Sequence, residues 1–102
     1  MKRWKTTQQM ANDIAQIDKS NNKELNIAQC NNIAKNVKNL YCAKGKDYML
    51  NHLRNTLSSS TAINGFTMDQ KDRAVAVVNK LFKWHWFPLS RIRNNMRRLC
   101  ES

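Results

Sequence analysis

The sequence predicts an all-α fold, and three observations support that prediction. Apolar residues recur at helical spacing in five segments, no window shows the alternation of a strand, and only 2 Gly and 1 Pro interrupt the chain. A length of 102 residues suits one domain with one modest core. We therefore expect a single compact domain of four to five helices that covers residues 1–102.

The first three helices are predicted from amphipathic faces. A helix over about residues 6–18 has a narrow apolar stripe, and one over about 22–44 is apolar on one side and polar on the other. Gly45 follows directly, where a helix C-terminal glycine belongs. The third helix, about 47–57, is expected to begin at Asp47, and its outward side is polar.

The fourth helix is predicted to lie at the centre of the core. Thr67 and Gln70 form a capping box at its start, and its apolar arc over about residues 68–86 spans roughly 200°. Pro88 disfavours helix at the residue before it and so ends this segment. A fifth amphipathic helix is expected over about residues 89–100.

The charge balance is the strongest indication of function. Eighteen Lys and Arg residues against seven Asp and Glu give a formal net charge of +11 and a pI near 10.1. Such an excess speeds encounter with any polyanion or acidic surface. Nucleic acid is the commonest partner of this kind, although an acidic protein or a membrane surface would respond to the same field. The sequence predicts a small non-enzymatic nucleic-acid-binding regulator or accessory factor, with DNA favoured over RNA.

The predicted phosphate contacts lie on polar helical faces. Arginine grips phosphate through paired donors, and the four arginines of helix 5 are therefore the first candidates, with a solvated face as the alternative. Helices 2 and 3 supply lysines and asparagines, and asparagine can bond the edge of adenine. The full predicted set is Arg91, Arg93, Arg97, Arg98, Lys35, Lys38, Lys44, Lys46, Asn51, Arg54 and Asn55.

A helix–turn–helix motif fits the sequence in two arrangements. Helices 2 and 3 are joined by "AKGKD", a short glycine-containing turn, which would leave helix 3 to enter the major groove. Helices 4 and 5 are joined across Phe87–Pro88, which would turn the arginines of helix 5 toward DNA. An ordinary helical hairpin explains either pair equally well.

An aromatic cluster at the end of helix 4 predicts a core or oligomer contact. Its members share the apolar arc, so packing is a simpler use than base stacking, and a symmetric homodimer would cover the excess apolar surface. We assign this interface to Phe82, Trp84, His85 and Trp86.

Neither enzyme chemistry nor a metal or cofactor is expected. The chain has no glycine-rich phosphate loop, no nucleophile elbow, and no C-x₂-C or H-x₃₋₅-H pair. The rival to nucleic-acid binding is a protein-binding modulator, an inhibitor or adaptor that docks on an acidic surface of a larger protein machine. Basic strips that converge would favour nucleic acid, whereas scattered charges beside exposed apolar residues would favour a protein partner.

The cysteines and the N-terminus predict a cytoplasmic protein. Cys30, Cys42 and Cys100 are odd in number and lack paired spacing, which indicates reduced thiols. The basic N-terminus has no apolar run of a signal peptide, and no window approaches a membrane span. Residues 1–5 have the composition of a flexible basic arm and equally of a frayed terminus.

Overall fold

Five helices form the structure, which is a computed structural model that describes residues 4–20, 24–83 and 89–101. The described residues contain no strand, and the predicted all-α fold is confirmed. The helices are α1 (Thr7–Ser20), α2 (Ile27–Lys44), α3 (Lys46–Thr56), α4 (Met68–Lys83) and α5 (Leu89–Glu101).

The core is built around α2 and α4, each of which contacts α1, α3 and α5. The apolar arc of α4 buries Ala74, Val77, Val78, Leu81 and Phe82, as a central helix requires. Phe82 stacks on Tyr41 of α2 with ring centroids 6.0 Å apart. Phe82 is therefore packed inside the monomer. The other three residues of the predicted interface, Trp84, His85 and Trp86, lie outside the described residues.

Side-chain caps fix where α2 and α4 begin. The predicted capping box of α4 is confirmed, because Gln70 N donates to Thr67 Oγ1 over 3.1 Å and Thr67 N donates to Gln70 Oε1 over 3.0 Å. Helix α2 starts later than the predicted residue 22. Its N-cap is Asn26, whose side chain accepts from Gln29 N at 2.7 Å while Asn26 N donates to Gln29 Oε1 at 3.0 Å.

The loop between α3 and α4 is held by amide side chains of α2. Gln29 Nε2 donates to Gly65 O at 2.7 Å, and Asn32 Nδ2 donates to Asn64 O at 3.1 Å. A Cβ added at Gly65 would lie 1.9 Å from the carbonyl oxygen of Ser60, so the loop closes on itself only with glycine there. Gln29 and Asn32 of α2 thus stabilise the fold by holding this loop against the helix.

The N-terminal segment is anchored by Trp4, which is fully buried. Its backbone N–H donates to Asn95 Oδ1 of α5 over 3.4 Å, and its indole Nε1 donates to Asp13 Oδ2 of α1 over 2.6 Å. Trp4 belongs to the stretch 1–5 that the sequence presents as a basic arm. It joins α1 to α5, and residues 1–3, which include the basic Lys2 and Arg3, lie outside the described part of the chain.

A disulfide bond joins α2 to α5, so the prediction of reduced thiols is wrong for two of the three cysteines. Cys42 and Cys100 are bonded with their Cα atoms 5.4 Å apart, and only Cys30 is free. The two half-cystines are 58 residues apart, and local spacing carries no sign of such a pair. Disulfides are rare in reducing compartments, so the cysteines no longer support a cytoplasmic location.

Candidate nucleic-acid interface

The apolar and the cationic side chains of α5 lie on different sides of the helix. Ile92, Met96 and Leu99 are buried at helical spacing. The guanidinium-bearing residues all lie on the exposed remainder, and no ion pair joins any of them to another described residue. They are Arg91, Arg93, Arg97 and Arg98. Four positive charges therefore project from about two turns of one helix.

The disulfide sets the position of these arginines relative to α2. Arg97 and Arg93 precede Cys100 by three and seven residues, so the three lie on one face of α5. By the same rule, Lys38 and Lys35 precede Cys42 by four and seven residues and share its face of α2. The bond between the cysteines thus joins two cationic ridges at their C-terminal ends.

This arrangement keeps the two ridges close. Helical geometry and the 5.4 Å between the bonded Cα atoms place the Cα atoms of Arg97 and Lys38 at most about 17 Å apart. One strand of a duplex presents about five phosphates over that length. We call the four residues of these two ridges the cationic strip: Lys35, Lys38, Arg93 and Arg97. Arg91 and Arg98 form a second arginine ridge of α5, about 100° or more around the helix axis from the first.

The corner between α2 and α3 carries two further predicted lysines. Lys44 is the last residue of α2 and Lys46 the first of α3, with only Gly45 between them. Gly45 has a φ of 90°, and its N–H donates to Tyr41 O over 2.7 Å, as predicted for a helix C-terminal glycine. One connecting residue is shorter than the three- or four-residue turn of a helix–turn–helix motif. The other predicted turn, at Phe87–Pro88, lies outside the described residues.

The three candidate contacts on α3 differ in their availability. Asn51 and Asn55 are exposed, as a contact with a base or a phosphate requires. Arg54 Nε instead donates to Asp72 Oδ1 of α4 over 2.6 Å, so its charge is already paired. Local sequence patterns could not predict this pair, because the two residues belong to helices separated by a loop.

An ion pair with a buried carboxylate holds the end of the molecule that is remote from the disulfide. Arg73 Nε donates to Asp18 Oδ1 over 3.0 Å, and Asp18 Oδ2 also accepts from Leu25 N over 2.9 Å. Burial raises the pKa of the nearby Cys30 thiol to about 11, and the negative charge of Asp18 contributes to the rise. Cys30 is therefore protonated at neutral pH and is a structural thiol rather than a nucleophile.

The described residues also set limits on other kinds of site. Among them, no group of three or more His, Cys, Asp and Glu residues is placed to hold a metal ion. None of the five helices is long and apolar enough to cross a membrane.

The fold and this surface define a small all-α basic protein with a disulfide-braced cationic strip. Comparisons with protein-family models, curated proteins and solved structures gave no match to the chain. Its function is therefore argued from the surface itself.

Proposed function

We propose that this protein binds nucleic acid by contacting phosphates through the cationic strip. The observation that carries the proposal is the disulfide between Cys42 and Cys100, which places the arginine ridge of α5 beside the lysine ridge of α2. Guanidinium groups bind phosphate oxygens through two parallel hydrogen bonds, and cations along a backbone gain affinity by releasing condensed counterions. A formal net charge of +11 supplies the attraction at longer range.

The proposal concerns backbone binding, with DNA favoured over RNA because exposed Asn51 and Asn55 suit an adenine edge, which a helix can reach in the major groove of DNA but not in the narrow major groove of an RNA duplex. Lys44 and Lys46 extend the cationic surface toward these residues. A regulatory role, a homodimer and a cytoplasmic location stay predictions from the sequence.

Docking on an acidic protein is the second candidate, and a separate surface favours it. Three large apolar side chains are exposed around the loop that precedes α4: Ile27, Ile63 and Met68. Asn26 Nδ2 donates to Ile63 O over 3.1 Å, which brings the first two together. Exposed apolar residues near basic ones suit a protein partner. The patch contains no aromatic residue, however, and aromatic residues are the usual anchors of such interfaces.

Binding of a labelled mixed-sequence duplex, titrated across salt concentration, tests the proposed function. We expect a log–log slope of about −3.6 or steeper, because each neutralised duplex phosphate contributes about −0.9 and the strip alone offers four contacts. Replacing Arg91, Arg93, Arg97 and Arg98 together with alanine is expected to flatten the slope to about −1.8, the contribution of Lys35 and Lys38. Absence of binding at low salt would end the nucleic-acid proposal and leave the acidic protein partner.

A further inference from the structure

An exposed aromatic stack lies on α3, outside the cationic strip. The rings of Tyr48 and His52 are nearly parallel, with centroids 4.0 Å apart and an interplanar angle of 22°. We propose that this pair is a stacking platform for an unpaired base, so that the preferred ligand is single-stranded nucleic acid. The inference rests on the proposed function and adds to it the class of nucleic acid.

The stack is organised before any ligand binds. His52 Nδ1 lies 2.9 Å from the carbonyl oxygen of Tyr48, and since a carbonyl only accepts, Nδ1 carries the hydrogen of that bond. The bond fixes the plane of the imidazole. On the other side, the ammonium group of Lys44 lies 5.1 Å from the centroid of the Tyr48 ring, a cation–π distance.

The outer ring of the stack is open to a ligand. His52 is exposed, whereas Tyr48 between it and Lys44 is half-buried. A flat ring held in place at the surface loses little entropy when a base stacks on it, and every base offers a suitable face. If this part of α3 contacted only solvent, neither the fixed plane of the imidazole nor the stack of the two rings would have a use.

The platform lies next to the phosphate-binding residues. Lys44, which touches the stack, follows Cys42 by two residues, so its Cα lies within about 11 Å of the Cα of Cys100. Lys46 lies one residue beyond Gly45. Asp47 is the one acidic residue of α3, and it lies in the first turn, where it suits the helix dipole. A strand bound along the strip can therefore reach the stack with a neighbouring base.

The geometry favours a single strand over a duplex. In a duplex, the bases are stacked on one another and present only their edges in the grooves. In a single strand they can be splayed out to stack on aromatic side chains, and alanine substitution of such a side chain lowers affinity by about 10-fold or more. Only a single strand can contact the cationic strip through its phosphates and the His52 ring through a base.

The test compares His52→Ala with wild type on three labelled ligands at one salt concentration. The ligands are a mixed-sequence single strand of about 12 nucleotides, an abasic strand of the same length, and the duplex. We expect His52→Ala to weaken binding of the ordinary strand by about 10-fold and to leave the abasic strand and the duplex within about 2-fold. His52→Phe, which keeps a ring, is expected to restore binding of the ordinary strand, and Thr56→Ala, exposed on the same helix and outside the proposed contacts, is the matched control.

The outcomes separate this inference from the proposed function. An equal loss on the ordinary and abasic strands, or no rescue by His52→Phe, would overturn the platform. So would unchanged binding of the ordinary strand by His52→Ala, and in each of these cases salt-dependent binding by wild type would leave the proposed function standing. Absence of binding to all three ligands by wild type would overturn both.

Discussion

We expect Asp18→Ala to lower the free energy of unfolding by about 3–5 kcal/mol, as for other buried ion pairs that lose one partner. The side chain of Asp18 is only 1% exposed, and that of Arg73 is 19% exposed. The variant leaves the Arg73 guanidinium without its counter-charge and Leu25 N–H without its acceptor. Leu25 N–H would then bear the cost of desolvation without this bond, while Arg73 would keep its Nη2 bond to the carbonyl oxygen of residue 18 and lose the stronger bond to a carboxylate.

The exposed pair Arg54–Asp72 provides the matched control for this prediction. Its carboxylate is 65% exposed, so Asp72→Ala is expected to cost less than about 1 kcal/mol. Denaturant unfolding of both variants measures the contrast. Arg73→Met in the Asp18→Ala background is expected to recover part of the loss, since it removes the partly buried charge that has lost its carboxylate. Equal effects of the two aspartate variants would show that burial does not set the strength of these pairs.

Removal of the disulfide is the second large expected effect. The bond closes a loop of 58 residues, and the entropy of that loop in the unfolded chain corresponds to about 4 kcal/mol. We expect the double variant Cys42→Ser/Cys100→Ser, or the reduced protein, to unfold at a correspondingly lower denaturant concentration.

Thiol counting checks the disulfide independently of stability. Cys30 is buried, and its pKa is raised to about 11, so a thiol reagent is expected to find no fast-reacting group in the native protein and one after unfolding. Cys30→Ser is not a suitable control because it would bury a hydroxyl. Three thiols after unfolding without reductant, with unchanged stability on adding reductant, would contradict the bond.

Local patterns in the sequence were sufficient to predict the helices. The capping box of Thr67 and Gln70, the glycine at Gly45 and the apolar spacing of α4 each depend on residues within one or two turns. The start of α2 was not predicted, because Gln29 both completes the cap with Asn26 and holds Gly65 O of a distant loop. Tertiary contact therefore decides where this helix begins.

The parts of the candidate site that could not be predicted depend on long-range contacts. The exposed arginines of α5 follow directly from the buried spacing of Ile92, Met96 and Leu99. Nothing within either helix indicates that Cys100 would meet Cys42, and that bond, together with the packing of α2 on α5, aligns the two ridges. The burial of Trp4 against Asn95, 91 residues away, likewise could not be predicted from residues that are close in the sequence.

The measurement that tests the central claim most directly compares two pairs of charge removals on the same nucleic-acid ligand. Arg93→Ala/Arg97→Ala removes two charges from the cationic strip, and Lys19→Ala/Lys71→Ala removes two from the end of the molecule where Asp18 meets Arg73. That end lies near the start of α2, about 22 Å along the helix from the disulfide. Both variants change the formal net charge equally.

We predict that the arginine pair lowers the magnitude of the duplex salt slope by about 1.8, the value for two lost phosphate contacts. The lysine pair is expected to change it by less than about 0.5, because its charges act only at long range, where salt screens them. Equal reductions by the two pairs would mean that net charge alone drives binding, and the proposed cationic strip would be wrong.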